Sequence, residues 1–67
     1  MLDEFMEVSR LTKFSLGRIF EEASLYKYGN KTHSMEAFRK FSLGNIEPWV
    51  IDWCNMIIGL HQHDRGG

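Results

Sequence analysis

The sequence predicts an all-α fold: a small three-helix domain that is dimeric. Three observations carry this expectation. A single proline in 67 residues disfavours a turn-rich β architecture. Apolar residues recur at helical spacing from Leu2 to Tyr26 without a breaking proline. The run PWVIDWCNMIIGL opens with that one proline and is apolar around most of a helical circumference.

Placed at 100° steps, Leu2, Phe5, Met6, Val8, Leu16, Ile19, Phe20, Ala23 and Tyr26 share one broad face, while Glu4, Arg18, Glu22 and Asn30 lie opposite. Residues 3–28 are therefore expected as one long helix. Leu11, Phe14 and Leu25 fall off the stripe. Gly17 marks a place where a bend is allowed, since glycine inside a helix costs roughly 0.5–1 kcal/mol relative to alanine. The loop YGNKTHS ends the element. Gly29 or Asn30 suits the left-handed residue that closes a helix, and Thr32 or Ser34 suits the cap of the next. A short second helix is expected over residues 34–43, with Met35, Ala37, Phe38 and Phe41 inward and Gly44 just past its end. Asn45 then caps a third helix over residues 47–61. Pro48 is tolerated in its first turn, where the missing amide would have no helical partner. Residues 1–62 form the domain, and 63–67 are expected as a flexible tail.

The pentapeptide KFSLG occurs twice, at Lys13–Gly17 and at Lys40–Gly44. Its downstream flanks differ. RIFEE continues a helical pattern after the first copy, whereas NIEPW supplies a cap and a proline after the second. The first copy is thus expected to be helical, and the second to end a helix. Phe41 is assigned to the core, and Phe14 to a contact with another chain.

The third helix carries the functional expectation. Trp49, Val50, Ile51, Trp53, Cys54, Met56, Ile57, Ile58 and Leu60 spread over more than half its circumference, leaving Asp52, Asn55, Gly59 and Gln62 as a polar strip. A domain this small buries only about 60% of the surface of its unfolded chain. Two short neighbours are therefore expected to leave part of that helix for a partner. The function that follows is a non-catalytic protein-binding module, a small intracellular regulator or inhibitor docking on a larger protein or on itself as a homo-oligomer. Its expected anchors are Trp49, Trp53, Met56, Ile57, Leu60 and Phe14.

Other chemistries find less material. Cys54 is the only cysteine, so no disulfide forms within the chain, and a lone thiol fits a reducing, cytoplasmic setting. The start, MLDEFMEVSR, is acidic and amphipathic, unlike a secretory leader. PWVIDWCNMIIGL is too short for a membrane span and contains Asp52. Cys54, His61, His63 and Asp64 lack the paired spacing of a four-ligand zinc site, so no metal or other cofactor is expected. With no phosphate-binding glycine loop and no carboxylate pair, neither catalysis nor a small-molecule substrate is expected. The alternative is a helix-turn-helix-like nucleic-acid partner using Arg10, Lys13, Arg18, Lys27, Lys31, Arg39 and Lys40. Against it stand a net charge of −1 and the interrupting Glu21, Glu22 and Glu36.

Overall fold

The computed structural model describes residues 2–66, with side chains through residue 62. Four α-helices follow one another: α1 (Asp3–Thr12), α2 (Leu16–Tyr28), α3 (Thr32–Ser42) and α4 (Pro48–Gly66). No strand occurs among the described residues.

The expected long helix over 3–28 is broken into α1 and α2. The break lies at residues 13–15 rather than at Gly17. Lys13 turns into the left-handed region at φ 65°, and it alone does so among the described non-glycine residues. Local hydroxyls stabilise the turn. The Phe14 amide donates to Thr12 Oγ1 at 3.2 Å, and Ser9 Oγ donates to the Phe14 carbonyl at 2.9 Å. Ser15, extended, then caps α2 by accepting the Arg18 amide at 3.3 Å. Such short side chains compete with the helical ladder for backbone groups.

The other boundaries lie near their expected places. Gly29 closes α2 at φ 79°, its amide bonded to the Leu25 carbonyl. The cap of α3 is not Thr32 or Ser34. Asn30 Oδ1 accepts the Thr32 amide at 2.9 Å, while Ser34 Oγ donates to the Lys31 carbonyl. Gly44, at φ 93°, sits just beyond the end of α3. α4 extends past the expected end at 61, to Gly66. The tail expectation for 63–67 falls on side chains outside the described residues.

α2 is the central helix, packed against each of the other three, and α1 also lies along α4. The core comprises Phe5, Val8, Ile19, Phe20, Ala23, Ala37, Val50, Trp53 and Cys54. Its centre is aromatic. Phe5 meets Phe20 at 5.5 Å and Phe41 at 5.1 Å between ring centroids, and Phe20 meets Phe38 at 5.1 Å. Phe41, assigned to the core, is half-buried and packs against it. Met35 does not: it is 82% exposed on the outer face of α3. Leu2, Met6 and Tyr26, placed inward by the single-helix projection, are also exposed. The break does not explain Tyr26, because Ile19, Phe20 and Ala23, projected across it, are buried as placed. Tyr26 lies one turn beyond Ala23, the last residue of α2 in the core cluster.

α3 is tied to the start of α4 by Lys40, whose Nζ lies 2.7 Å from Glu47 and 3.5 Å from Glu36. The Glu47 hydrogen bond leads in holding this ammonium above its usual pKa. Stacking of Tyr28 on His33 at 3.8 Å, with Trp49 edge-on to Tyr28 at 5.4 Å, closes the same side.

Candidate protein-docking surface

Two hollows of about 490 and 330 Å³ adjoin along the seam of α2 and α4. They share Tyr26, Trp53 and Met56. The larger adds Phe14, Leu25, Ile57 and the rim residues Thr12, Glu22 and His61; the smaller adds Lys27, Trp49 and Asp52. Together they form a trough with aromatic and aliphatic walls and charged edges. Between Trp49 and His61 the axis of α4 advances roughly 18 Å, or about three turns.

Five of the six expected anchors line this trough: Phe14, Trp49, Trp53, Met56 and Ile57. Their roles differ. Trp53, only 6% exposed, belongs to the core and forms the floor. Trp49, Met56 and Ile57 are half-buried, packed on the core with one side open. Phe14 is also half-buried and packs against this chain's own core, with the Arg18 guanidinium 4.2 Å above its ring. Leu60, at 55% exposed, lies outside the lining. Tyr26 and Leu25 were missed as anchors. Tyr26 is 68% exposed and is the residue of α2 that reaches both hollows. The signal was present, because Leu25 stands off the apolar stripe beside an aromatic residue.

A wider depression of about 700 Å³ lies on the α2/α3 side, around Met35, Phe38, Arg18 and Arg39. It carries one aromatic side chain where the trough carries four. Large rigid aromatics supply most of the contact energy at protein interfaces, which favours the trough.

The basic residues of the alternative reading are dispersed and partly neutralised. Arg10 pairs with Glu7 at 2.6 Å, Arg18 with Glu22 and Lys31 with Glu21 at 3.9 Å, and Lys40 with Glu36 and Glu47. Lys13, Lys27 and Arg39 make no ion pair among the described residues. Arg18 and Lys27 stand near opposite ends of α2, separated by roughly 14 Å along its axis. α2 and α3 are joined by a Gly-containing turn, as the alternative supposes.

Cys54 is fully buried, and burial, with a lesser push from Glu4, raises its thiol to about 12. A protonated, enclosed thiol is neither a nucleophile nor a ready ligand. Among the described residues, no three of His, Cys, Asp and Glu converge on a metal position, and no helix is long and apolar enough to cross a membrane. His63 and Asp64 side chains lie outside those residues.

No protein-family model, curated protein or solved structure matches this chain.

Proposed function

We propose that this chain is a non-catalytic protein-binding module, a small regulator or inhibitor, and that its partner presents an amphipathic helix to the α2/α4 trough. One observation carries the reading: residues from the end of α1, the turn at 13–15, α2 and α4 converge on a single apolar trough with a core indole as its floor. A helix fits because the trough follows the seam of two helices over about three turns of α4. Those dimensions match a partner stripe of i, i+3, i+4 and i+7 anchors. Trp49, Tyr26 and Met56 are the contacts that lose most solvent, and Lys27, Asp52 and Glu22 set orientation at the rim.

Homodimerisation through the same trough, with a second copy in place of the partner, is the other occupant this surface admits. Action inside the cell is part of the proposal, resting on the buried reduced thiol of Cys54. The nucleic-acid alternative has the α2–turn–α3 arrangement in its favour, but the self-paired Arg10, Arg18, Lys31 and Lys40 give it less support.

The test is selection from a displayed library of amphipathic helical peptides. Binders that lose at least thirtyfold in affinity on Tyr26→Ala, equivalent to the ~2 kcal/mol of an interface hot spot, are expected. Because Tyr26 is exposed, this substitution leaves the fold intact. A selection that enriches only peptides indifferent to Tyr26→Ala and Trp49→Ala refutes the proposal.

A further inference from the structure

The turn at residues 13–15 is short and contains neither glycine nor proline. Lys13, Phe14 and Ser15 are all compatible with a helix interior, yet Lys13 is held at φ 65°, where its Cβ is crowded. The hydrogen bonds on either side already have helical spacing. Lys13 N donates to Ser9 O at 2.8 Å, and Ile19 N donates to Ser15 O at 3.0 Å. Straightening the turn therefore needs new acceptors only for the amides of residues 14–18, which the carbonyls of residues 10–14 supply. What it gives up is the set of hydroxyl bonds made by Ser9, Thr12 and Ser15 and the present seating of Phe14 against the core under Arg18.

Straightening also lifts α1 out of its cleft. There Phe5 and Val8 are wholly buried, Phe5 against the rings of Phe20 and Phe41. A lone chain cannot leave that cleft open, and the segment whose shape fits it is α1 itself. We infer that α1 is an exchangeable arm: the cleft between α2 and α4 that receives it takes α1 of a second copy, with α1 and α2 fused into one helix over residues 3–28. The same core contacts form in the closed monomer and in the exchanged dimer. The balance between them is then set by the hinge and by protein concentration, the condition under which a strained short hinge favours swapping. This dimer is distinct from one formed through the trough, because its buried contacts are those already in the core.

Size-exclusion chromatography with light scattering, after refolding at millimolar concentration, tests the inference. The parent is expected to yield a dimer that persists on dilution, since α1 must leave a packed cleft to revert. Lys13→Gly relieves the left-handed turn and penalises the straight helix, a factor of at least about fivefold per hinge. With two hinges per dimer, the dimerisation constant falls by at least about twenty-five-fold. The double substitution Thr12→Ala, Ser15→Ala removes the hydroxyl caps and raises the constant by at least about tenfold. Tyr26→Ala leaves it unchanged. Either of two results overturns the inference. One is a double variant that is folded by circular dichroism and still monomeric at millimolar concentration. The other is a dimer that ignores the hinge substitutions and is lost with Tyr26→Ala.

Discussion

Trp53→Ala separates what holds the chain together from what it presents to a partner. Trp53 is 6% exposed and packs among Phe5, Val50 and Cys54 in the core. An indole at this burial removes ~200 Å² from water, worth about 5 kcal/mol at 25 cal/mol per Å², and large-to-small aromatic substitutions cost about 3–5 kcal/mol. Alanine is the best helix former, so none of the loss comes from the backbone of α4. A single core of this size supplies only about 3–5 kcal/mol of net stability. The two figures are comparable, so Trp53→Ala leaves the folded and unfolded chains similarly populated even without denaturant. Urea titration followed by far-UV circular dichroism reads this directly. The parent shows a cooperative transition, and Trp53→Ala shows a truncated one whose native baseline is lost. Leu60→Ala is the internal control, because Leu60 is 55% exposed on the same helix and its loss changes stability by about 0.5 kcal/mol or less. If Trp53→Ala kept a midpoint within error of Leu60→Ala, the indole would not be part of the core, and the assignment of the trough floor would fail with it.

Two glycines are expected to respond in opposite directions. Gly17 lies in the first turn of α2, and a Cβ there would meet only Phe38 Cε2 at 3.5 Å, an ordinary contact. Gly17→Ala should therefore stabilise by about 0.5–1 kcal/mol, raising the melting temperature by a few degrees in a calorimetric scan. Gly29 has open space around it but sits at φ 79°, so Gly29→Ala should destabilise by about 1–2 kcal/mol through backbone strain alone. The pH dependence follows from Cys54, whose thiol is pushed from an ordinary 9.0 up to about 12. Between those values the unfolded chain has released a proton that the folded chain retains, so stability falls as pH rises through that window. Urea midpoints measured across it should decline more steeply for the parent than for Cys54→Ala. At neutral pH, an alkylating reagent should label Cys54 no faster than the chain opens.

The all-helical character was legible because it depends on periodicity and on proline, both local properties. Gly29 and Gly44 could be placed for the same reason, since left-handed residues at helix ends select glycine in almost any context. The anchors of the trough were legible in part. An apolar set wider than one helical face must meet something besides the nearest core, and Trp49, Met56 and Ile57 do keep an open side. Trp53 lines the trough but belongs to the core as well, because its burial depends on where α2 crosses α4, which periodicity along α4 alone does not give. Tyr26 was lost because it lies one turn beyond Ala23, where α2 runs past the core, and periodicity along α2 does not say where that happens.

The repeated KFSLG shows which flank decides. The residues after each copy, RIFEE and NIEPW, suggest a helix for the first and a helix end for the second. Lys40–Ser42 does complete α3, with Leu43 and Gly44 turning away, and Ser42 Oγ bonds back to the Phe38 carbonyl as a serine within a helix does. The first copy instead begins with the break, and its Ser15 caps a helix that starts at Leu16. The downstream residues did not cause that difference, because the chain has already turned at Lys13. The upstream ones did. Thr12 precedes the first copy where Arg39 precedes the second, and Ser9 stands where Glu36 stands. Thr12 Oγ1 captures the Phe14 amide and Ser9 Oγ captures the Phe14 carbonyl, diverting both from the helical ladder. At the second copy, the guanidinium of Arg39 cannot accept an amide, and Glu36 is engaged with Lys40. Exchanging the pair, with Thr12→Arg and Ser9→Glu, should therefore let the first copy continue the helix of α1. Backbone chemical shifts of Lys13 report the outcome: left-handed values in the parent and right-handed helical values in the double variant. A variant that kept left-handed shifts at Lys13 would place the cause of the turn in packing against the core rather than in these two hydroxyls.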